Sequence, residues 1–482
     1  MNLRTPKNPA MVMDLYELTM AYGYFKESDW KAKAAFDLFY RKNPEGGGYA
    51  ISAGLEQIID YINNLHFSEA DIDYLASLGL FGADFLDYLK DFSFKGDIYA
   101  FPEGTLIYPN EPVITVVAPR IDAQIVETSL LVHFNHQSLI ATKASRIVRA
   151  AAGRAVSDMG ARRAHNMDAA VYGARAAYIG GVGGTATVLA AQMFNIPAIG
   201  TMAHSWVMGF ADEFTAFAKF AKTYPDSTVL LVDTYNVLKS GIPNAIRTAK
   251  EVLAPMGKRL KAIRIDSGDL AYLSKRSREM LDAAGFPDCR IIVSNSLDEY
   301  TITSLLNQDS AIDSFGVGER LITSRAEPVF GGVYKLAAVA EGGVFVPKIK
   351  ISENVEKITN PGLKQVYRIF NDKEYAVADL IAGANEELDF SKPVPFIDPT
   401  APWKKEAFTG CHAKALQVPV FKDGKQVYQC PSLNEIRDYV KDQLENKVWP
   451  EELRFENPHR HYLAMTENYY QMKMALLNQN NR

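Results

Sequence analysis

Between residues 155 and 318 one pattern recurs: a short apolar run ends on polar or glycine residues and is trailed by a helical pattern. The runs are Ala155–Asp158, Ala177–Gly180, Ala198–Thr201, Val229–Thr234, Ala262–Asp266, Ile291–Asn295 and Ser314–Gly318. Their spacing of roughly 20 to 33 residues suits strand–helix units, because parallel strands need long crossovers. Seven such units predict an α/β fold with a TIM-like (β/α) barrel, irregular because the usual closed form has eight strands. The barrel is expected over 124–330. Ahead of it, 1–123 read as an α+β domain, with a helix capped by Asp14, helices over Leu55–Leu65 and Glu69–Leu89, and strands at Lys33–Tyr40, Ile98–Gly104 and Pro112–Pro119. Short strands at Val333–Val339, Val344–Ile351 and Gln365–Phe370 are expected to rejoin that first sheet, so that 331–385 complete it. Residues 386–482 read as a C-terminal extension with a hairpin at Val418–Tyr428 and helices at Leu433–Asn446 and Pro458–Leu477.

Charge narrows the partners. A net charge of -5 argues against nucleic acid and anionic membranes, which need a basic surplus, so any phosphate site must be local. Cys289, Cys411 and Cys430 form no Cys-x-x-Cys pair, which fits a reducing compartment without structural zinc. No apolar run reaches spanning length and the first residues lack a signal-peptide core, so no membrane partner and a cytoplasmic location are expected.

In such a barrel the active site lies at the carboxyl ends of the strands. Those ends carry Asp158, Arg162 and Arg163; Gly180 through Thr185; Thr201 and His204; Asp233; Arg264, Asp266, Ser267 and Asp269; Ser294 and Asn295; and Gly316 through Thr323. Arginines, carboxylates and two glycine-rich turns together point to an anionic, phosphorylated, hydroxyl-bearing ligand. Gly316 and Gly318 allow backbone N–H groups to approach a phosphate. Arg264 and Asp266, two apart on a strand, share a face, and with Asp269 they suit ribose hydroxyls and a magnesium ion, which prefers oxygen ligands. His204, in a loop, is able to shuttle a proton, bind a metal, act as a nucleophile or simply cap the next helix. A nicotinamide-dinucleotide fold is excluded because Thr201–His204 stand where an acidic residue should hold the ribose, and no P-loop occurs. The turn Arg41–Gly48 reads either as a solvated hairpin tip or as a phosphate or subunit contact. His459 and His461, with no further ligand nearby, are expected at the surface.

Five motifs in order, Asp14–Met20, Gly160–Ala164, Gly200–Ser205, Arg264–Asp269 and Gly316–Gly318 through Val333–Leu336, resemble nicotinate phosphoribosyltransferases. The resemblance implies formation of nicotinate mononucleotide from nicotinate and 5-phosphoribosyl 1-pyrophosphate, coupled to ATP hydrolysis through a phosphohistidine, in NAD salvage. It implies His204 as the phosphorylated residue and Tyr16, Arg162, Thr201 and Arg264 around nicotinate. Asp266, Asp269 and Asn295 would serve ribose, pyrophosphate and Mg2+, and Gly316, Gly318 and Thr323 the 5′-phosphate. Glu319 and Arg320 stand where the family often has threonine, leaving open which loop side chain meets phosphate. The resemblance also implies a homodimer, with Tyr16 completing the partner's site. The alternatives are a nicotinamide phosphoribosyltransferase or a non-catalytic pyridine or phosphoribose sensor. Ala186 favours the acid over the amide, because the amide enzymes carry Asp there, which would repel a carboxylate.

Overall fold

The computed structural model describes residues 9–27, 30–354, 357–404 and 406–480. The chain divides into two compact units: Ile140–Pro328, and the remainder up to Leu139 and from Val329 on.

The Ile140–Pro328 unit is built on a parallel five-stranded sheet in the order Ala155–Asp158, Ser314–Val317, Arg290–Ser294, Ala262–Ile265, Val229–Leu231. Its first and last strands in sequence are neighbours, Val156 opposite Phe315 and Asp158 opposite Val317, and the five strands form an open half-barrel. Ile263, Ile265, Ile291, Val293, Phe315 and Val317, alternate positions in register, are all buried and form one apolar face of the sheet.

Two of the seven expected strands are not strands. Ala177–Gly180 closes the helix Met167–Ile179, where alanine's helix propensity and burial of Val171, Ala174, Ala177 and Tyr178 outweigh the local strand-like run. The place beside the Ala155–Asp158 strand is taken by Thr185, through a single parallel bridge to Asp158. Ala198 makes one further bridge, to Thr185. It cannot grow into a ladder at Pro197, which has no N–H to donate. His204 likewise lies not in a loop but at the first position of a short helix, His204–Met208.

The other unit holds a seven-stranded antiparallel sheet in the order Val344–Pro347, Val333–Glu341, Lys33–Phe39, Ile114–Pro119, Asp97–Ala100, Val418–Lys422, Lys425–Gln426. Two of the late strands rejoin the first sheet as expected, and the Val418 hairpin extends its far edge. Lys364–Phe370 does not rejoin it. That strand pairs with Ala376–Gly383 across a tight turn at Asn371–Tyr375 and belongs to a separate six-stranded sheet, because its nearest partner in sequence is formed first and at least entropic cost. The expected helix from Glu69 to Leu89 breaks into Glu69–Ser77 and Ala83–Lys90 at Gly79, whose φ is +67°. The helix expected from Pro458 begins only at Glu467, and Leu463–Thr466 is a strand of the six-stranded sheet.

That strand's register also moves His461. Leu463 stands opposite Asp379, and His461, expected at the surface, is buried between Asp379 Oδ2 at 3.5 Å and Glu452 Oε1 at 3.3 Å, stacked on Tyr108. Arg368 donates to both Asp379 oxygens, at 2.9 and 2.7 Å. His459 is exposed. No helix among the described residues is long and apolar enough to cross a membrane.

Candidate active site

At the carboxyl ends of the parallel strands, Arg264 organises the polar side chains. It projects from the Ala262–Ile265 strand, and its guanidinium donates to Thr201 Oγ1 at 2.8 Å, to Ser294 Oγ at 3.1 Å and to Asp266 Oδ1 at 3.4 Å. Ser294, on the neighbouring strand, donates its hydroxyl to the same Asp266 oxygen. The far side of the group is held by Asp233, whose Oδ2 accepts from the backbone N–H of Asp266 at 3.0 Å and from Ser267 Oγ at 2.6 Å. Asp233 Oδ1 is buried with no hydrogen-bond partner. His204 Nδ1 lies 3.1 Å from Thr234 Oγ1, and its Nε2 is 4.0 Å from Asp266 Oδ2.

Thr201, His204, Arg264 and Asp266 are therefore brought together, with Ser294 and Asp233 as their supports. Those two stood among the strand-end polar residues but carried no assigned role, since nothing in a linear pattern shows which carboxylate grips its neighbour's backbone. Asp269 adjoins them, and one of its oxygens caps the helix Leu270–Ala283 by accepting from Tyr272 N at 3.0 Å. Asn295 and Ser296 follow at φ +84° and +55°, conformations that a non-glycine residue holds only under constraint, and such strain collects at functional sites.

The glycine turn after the Ser314–Val317 strand is tightly packed. A Cβ at Gly316 would lie 2.6 Å from Met159 Sδ, and Gly318 precedes the short helix Glu319–Ile322. Thr323 closes that helix and donates its hydroxyl to Glu319 O at 2.8 Å. Arg162 is exposed on the turn Ala161–Arg163. Among the described residues, neither Arg162 nor Thr323 hydrogen-bonds to the Arg264 group. Asp158, at the end of the first strand, is buried; burial pushes its carboxyl above the usual range, and hydrogen bonds from Thr185 and Gly160 pull against that.

Tyr16 belongs to the other unit, on the helix Leu15–Lys26, where it is 43% exposed beside exposed Val12, Leu15 and Met20. In that unit the Arg41–Gly48 turn is no solvated tip: Pro44 and Gly48 are buried, and Arg41 Nε is buried without a partner. Burial holds the nearby Lys335 amine below its usual range, Glu127 opposes that, and Arg41 and Lys350 add to it.

Three family models account for nearly the whole chain: the nicotinate phosphoribosyltransferase N-terminal domain over 11–135, the nicotinate phosphoribosyltransferase family over 154–372 and the corresponding C-terminal domain over 363–473. The chain belongs to the nicotinate phosphoribosyltransferase family. It is 44% identical to the Bacillus subtilis nicotinate phosphoribosyltransferase over 469 residues, 97% of this chain and 94% of that one. With a Mycobacterium tuberculosis nicotinate phosphoribosyltransferase it shares 40% identity, over 92% of this chain and 88% of the relative. The crystal structure of human nicotinic acid phosphoribosyltransferase superposes with a TM-score of 0.84 at 26% identity, covering 97% of this chain and 100% of that structure. Every motif behind the sequence resemblance falls within the matched segments, and the C-terminal hundred residues, silent in sequence, have their own family domain.

Proposed function

We propose that this family member transfers the phosphoribosyl group of 5-phosphoribosyl 1-pyrophosphate to nicotinate, releasing pyrophosphate, and that ATP hydrolysis through a phosphorylated His204 drives the reaction in pyridine-nucleotide salvage. The observation that carries this reading is the half-buried Arg264 guanidinium, fixed by Thr201 and Ser294 and set beside a histidine and a carboxylate. We read the half-barrel with its two bridged positions as an irregular form of the (β/α) barrel, with this group at its mouth.

In this reading Arg264, Thr201 and Arg162 take the nicotinate carboxylate and orient the ring. The pyridine nitrogen donates its lone pair to the anomeric carbon as the bond to the pyrophosphate oxygen breaks, and that oxygen carries the electron pair away. Positive charge grows on the ribose, where Asp266 stabilises it. Groups so placed are worth about 3 to 4 kcal/mol each in comparable sites. Asp269 and Asn295 hold the ribose and pyrophosphate, while backbone N–H groups at Gly316 and Gly318 meet the 5′-phosphate. Arg41, whose Nε is buried without a partner, stands with Lys335 and Lys350 in a cationic group that suits a phosphate contact of its own.

Among the described residues no three carboxylates, histidines or cysteines gather to hold a metal alone, so Mg2+ would be carried chiefly by the substrate's phosphates, with Asp266 and Asp269 as the hard oxygen groups that would meet it. When bound, the ion neutralises charge on the departing pyrophosphate. In this reading His204 carries its proton on Nδ1, toward Thr234 Oγ1, and its Nε2 lone pair attacks the γ-phosphate of ATP; the N–P bond forms, the P–O bond breaks and ADP leaves. The phosphohistidine adds about -1.5 to -2 charges beside Arg264, by analogy with other phosphorylated side chains. The exposed apolar strip of Val12, Leu15, Tyr16 and Met20 suits a two-fold partner whose site Tyr16 completes.

Nicotinamide as substrate is disfavoured by Ala186, which offers the amide no acceptor. Product analysis with nicotinate and nicotinamide side by side, with and without ATP, tests the proposal. Mononucleotide formed from nicotinate and stimulated by ATP is the expected result, and equal use of both bases overturns the pocket assignment.

A further inference from the structure

We infer that Asp158 is a positioning residue for the pyridine pocket: one buried carboxylate fixes both the turn that carries Arg162 and the turn that carries Ala186. This rests on the proposed reading, in which those two turns face nicotinate and its carboxylate.

Asp158 ends the first parallel strand and is 1% exposed. Its two oxygens serve two different loops. Oδ1 accepts from the backbone N–H of Gly160 at 2.8 Å, two residues before Arg162. Oδ2 accepts from Thr185 Oγ1 at 2.6 Å, one residue before Ala186. The Thr185 hydroxyl in turn accepts from Thr187 N at 3.0 Å, and Thr187 begins the helix Val188–Phe194. The carboxylate thus reaches, through one hydroxyl, the whole 185–187 turn. The backbone repeats the connection, since Asp158 N donates to Gly184 O at 2.9 Å and Ala186 N to Asp158 O at 2.8 Å. The other turn has little room to relax, because a Cβ at Gly160 would lie 2.6 Å from Ile322 Cβ and 3.0 Å from Gly318 O.

The choice of residue is informative. A buried carboxylate without an ion-pair partner is costly, and a strand end with only packing to satisfy would hold an apolar side chain at less expense. What a carboxylate supplies here is an acceptor at both oxygens, so that two donors arriving from separate loops are held at fixed separation. Asparagine accepts at only one, although its amide is able to donate to Thr185 Oγ1. Leaving the Gly160 N–H and the Thr185 hydroxyl buried and unpaired releases both turns and lets Arg162 and Ala186 drift from the ring.

Steady-state kinetics of Asp158→Ala, Asp158→Asn and Thr185→Val, with melting curves, test this. Asp158→Ala is expected to raise KM for nicotinate about tenfold or more, to move KM for phosphoribosyl pyrophosphate less than about threefold, and to cut the nicotinate-over-nicotinamide ratio of kcat/KM about tenfold, the size set by unmade buried hydrogen bonds. Thr185→Val, nearly isosteric, should lower the same ratio in part even where Asp158→Ala fails to fold, and Asp158→Asn should recover most of the wild-type KM. A fall in melting temperature with unchanged base selectivity, or an equal rise in both KM values, overturns the assignment in favour of a structural role. If the wild-type chain does not turn over nicotinate, the parent reading falls and this one with it. If it does, while the variants keep its selectivity, only this one falls.

Discussion

Each unit contains a cluster of one arginine, carboxylates and one histidine. In the Ile140–Pro328 unit it is Arg264, Asp266 and His204, with side chains 11%, 26% and 41% exposed. In the other it is Arg368, Asp379, Glu111, Glu452 and His461, where Arg368, Asp379, Glu452 and His461 are 5%, 0%, 2% and 1% exposed. Arg368, the strongest donor of the sealed cluster, is spent on both Asp379 oxygens and on the Leu106 carbonyl. Burial disfavours the charge on Asp379, yet Arg368, a hydrogen bond from Glu111 and His461 outweigh it and hold that carboxyl well below the usual range. Glu111 is pushed the other way, by burial and then by Asp379, so its neutral form is favoured beside the charged Asp379. The open cluster leaves Asp233 Oδ1 without a hydrogen-bond partner, as the sealed one leaves His461 Nε2, but its histidine reaches solvent, with Nε2 4.0 Å from Asp266 Oδ2. Identical residue types are thus sealed in one place and open to solvent in the other, and exposure separates the two cases.

The contrast is sharpest at His204. Incubation with magnesium and ATP is expected to leave an acid-labile, base-stable phosphate on the wild-type chain and none on His204→Asn, which should keep only slow, ATP-independent transfer. Retention of full ATP stimulation by that variant would remove His204 from the chemistry. Next come the arginines. Arg264→Gln should lower kcat/KM for nicotinate by about 10²- to 10³-fold, as for other lost charge-stabilising donors, with little change in unfolding free energy. Arg368→Gln should do the opposite, destabilising by about 3 to 5 kcal/mol through an uncompensated buried charge, with near-normal turnover per folded molecule. Chemical denaturation alongside kinetics reads both, and an Arg368→Gln variant that folds normally but is inactive would break the comparison.

A smaller effect is expected at Ala186. Ala186→Asp should weaken nicotinate by about tenfold or more through like-charge repulsion, measured as KM or by titration calorimetry. The smallest is a pH effect on stability. Burial disfavours the charged His461 ring, but Asp379 and Glu452 raise its pKa above the ordinary value. Its contribution is therefore full below pH of about 6.5 and is lost as pH climbs through the raised value. The melting-temperature gap between wild type and His461→Gln should narrow from pH 6 to pH 9, and a gap that widens would contradict the charged state.

The strand ends were legible in sequence because parallel strands leave a strong trace, an apolar run stopping at a polar residue, and five of the runs are ladder strands. Ala177–Gly180 misled because a short apolar run has the same composition in a buried helix, and only the preceding Val171 and Ala174 at helical spacing mark the difference. Thr185 was invisible as a strand position, since one bridge leaves no periodicity. His461 lacked a sequence neighbour to warn of burial. Its partner Asp379 lies about 80 residues earlier, and only the parallel pairing of Leu463–Met465 with Asp379–Ile381 brings the two together.

The central strand Lys33–Phe39 also sets a timetable for biosynthesis. One of its edges pairs with Ile114–Pro119, which leaves the ribosome soon after it. The other must wait for Val333–Glu341, with Phe36 meeting Leu336 across 300 residues of chain that include the entire inserted unit. At typical translation rates of about 5 to 20 residues per second, that edge stays open for roughly 15 to 60 s, flanked by the apolar Ala34, Phe36 and Leu38. A nascent chain stalled anywhere in the inserted unit therefore presents a ready template for the wrong strand, and chaperone demand should peak before the enzyme's last third is made.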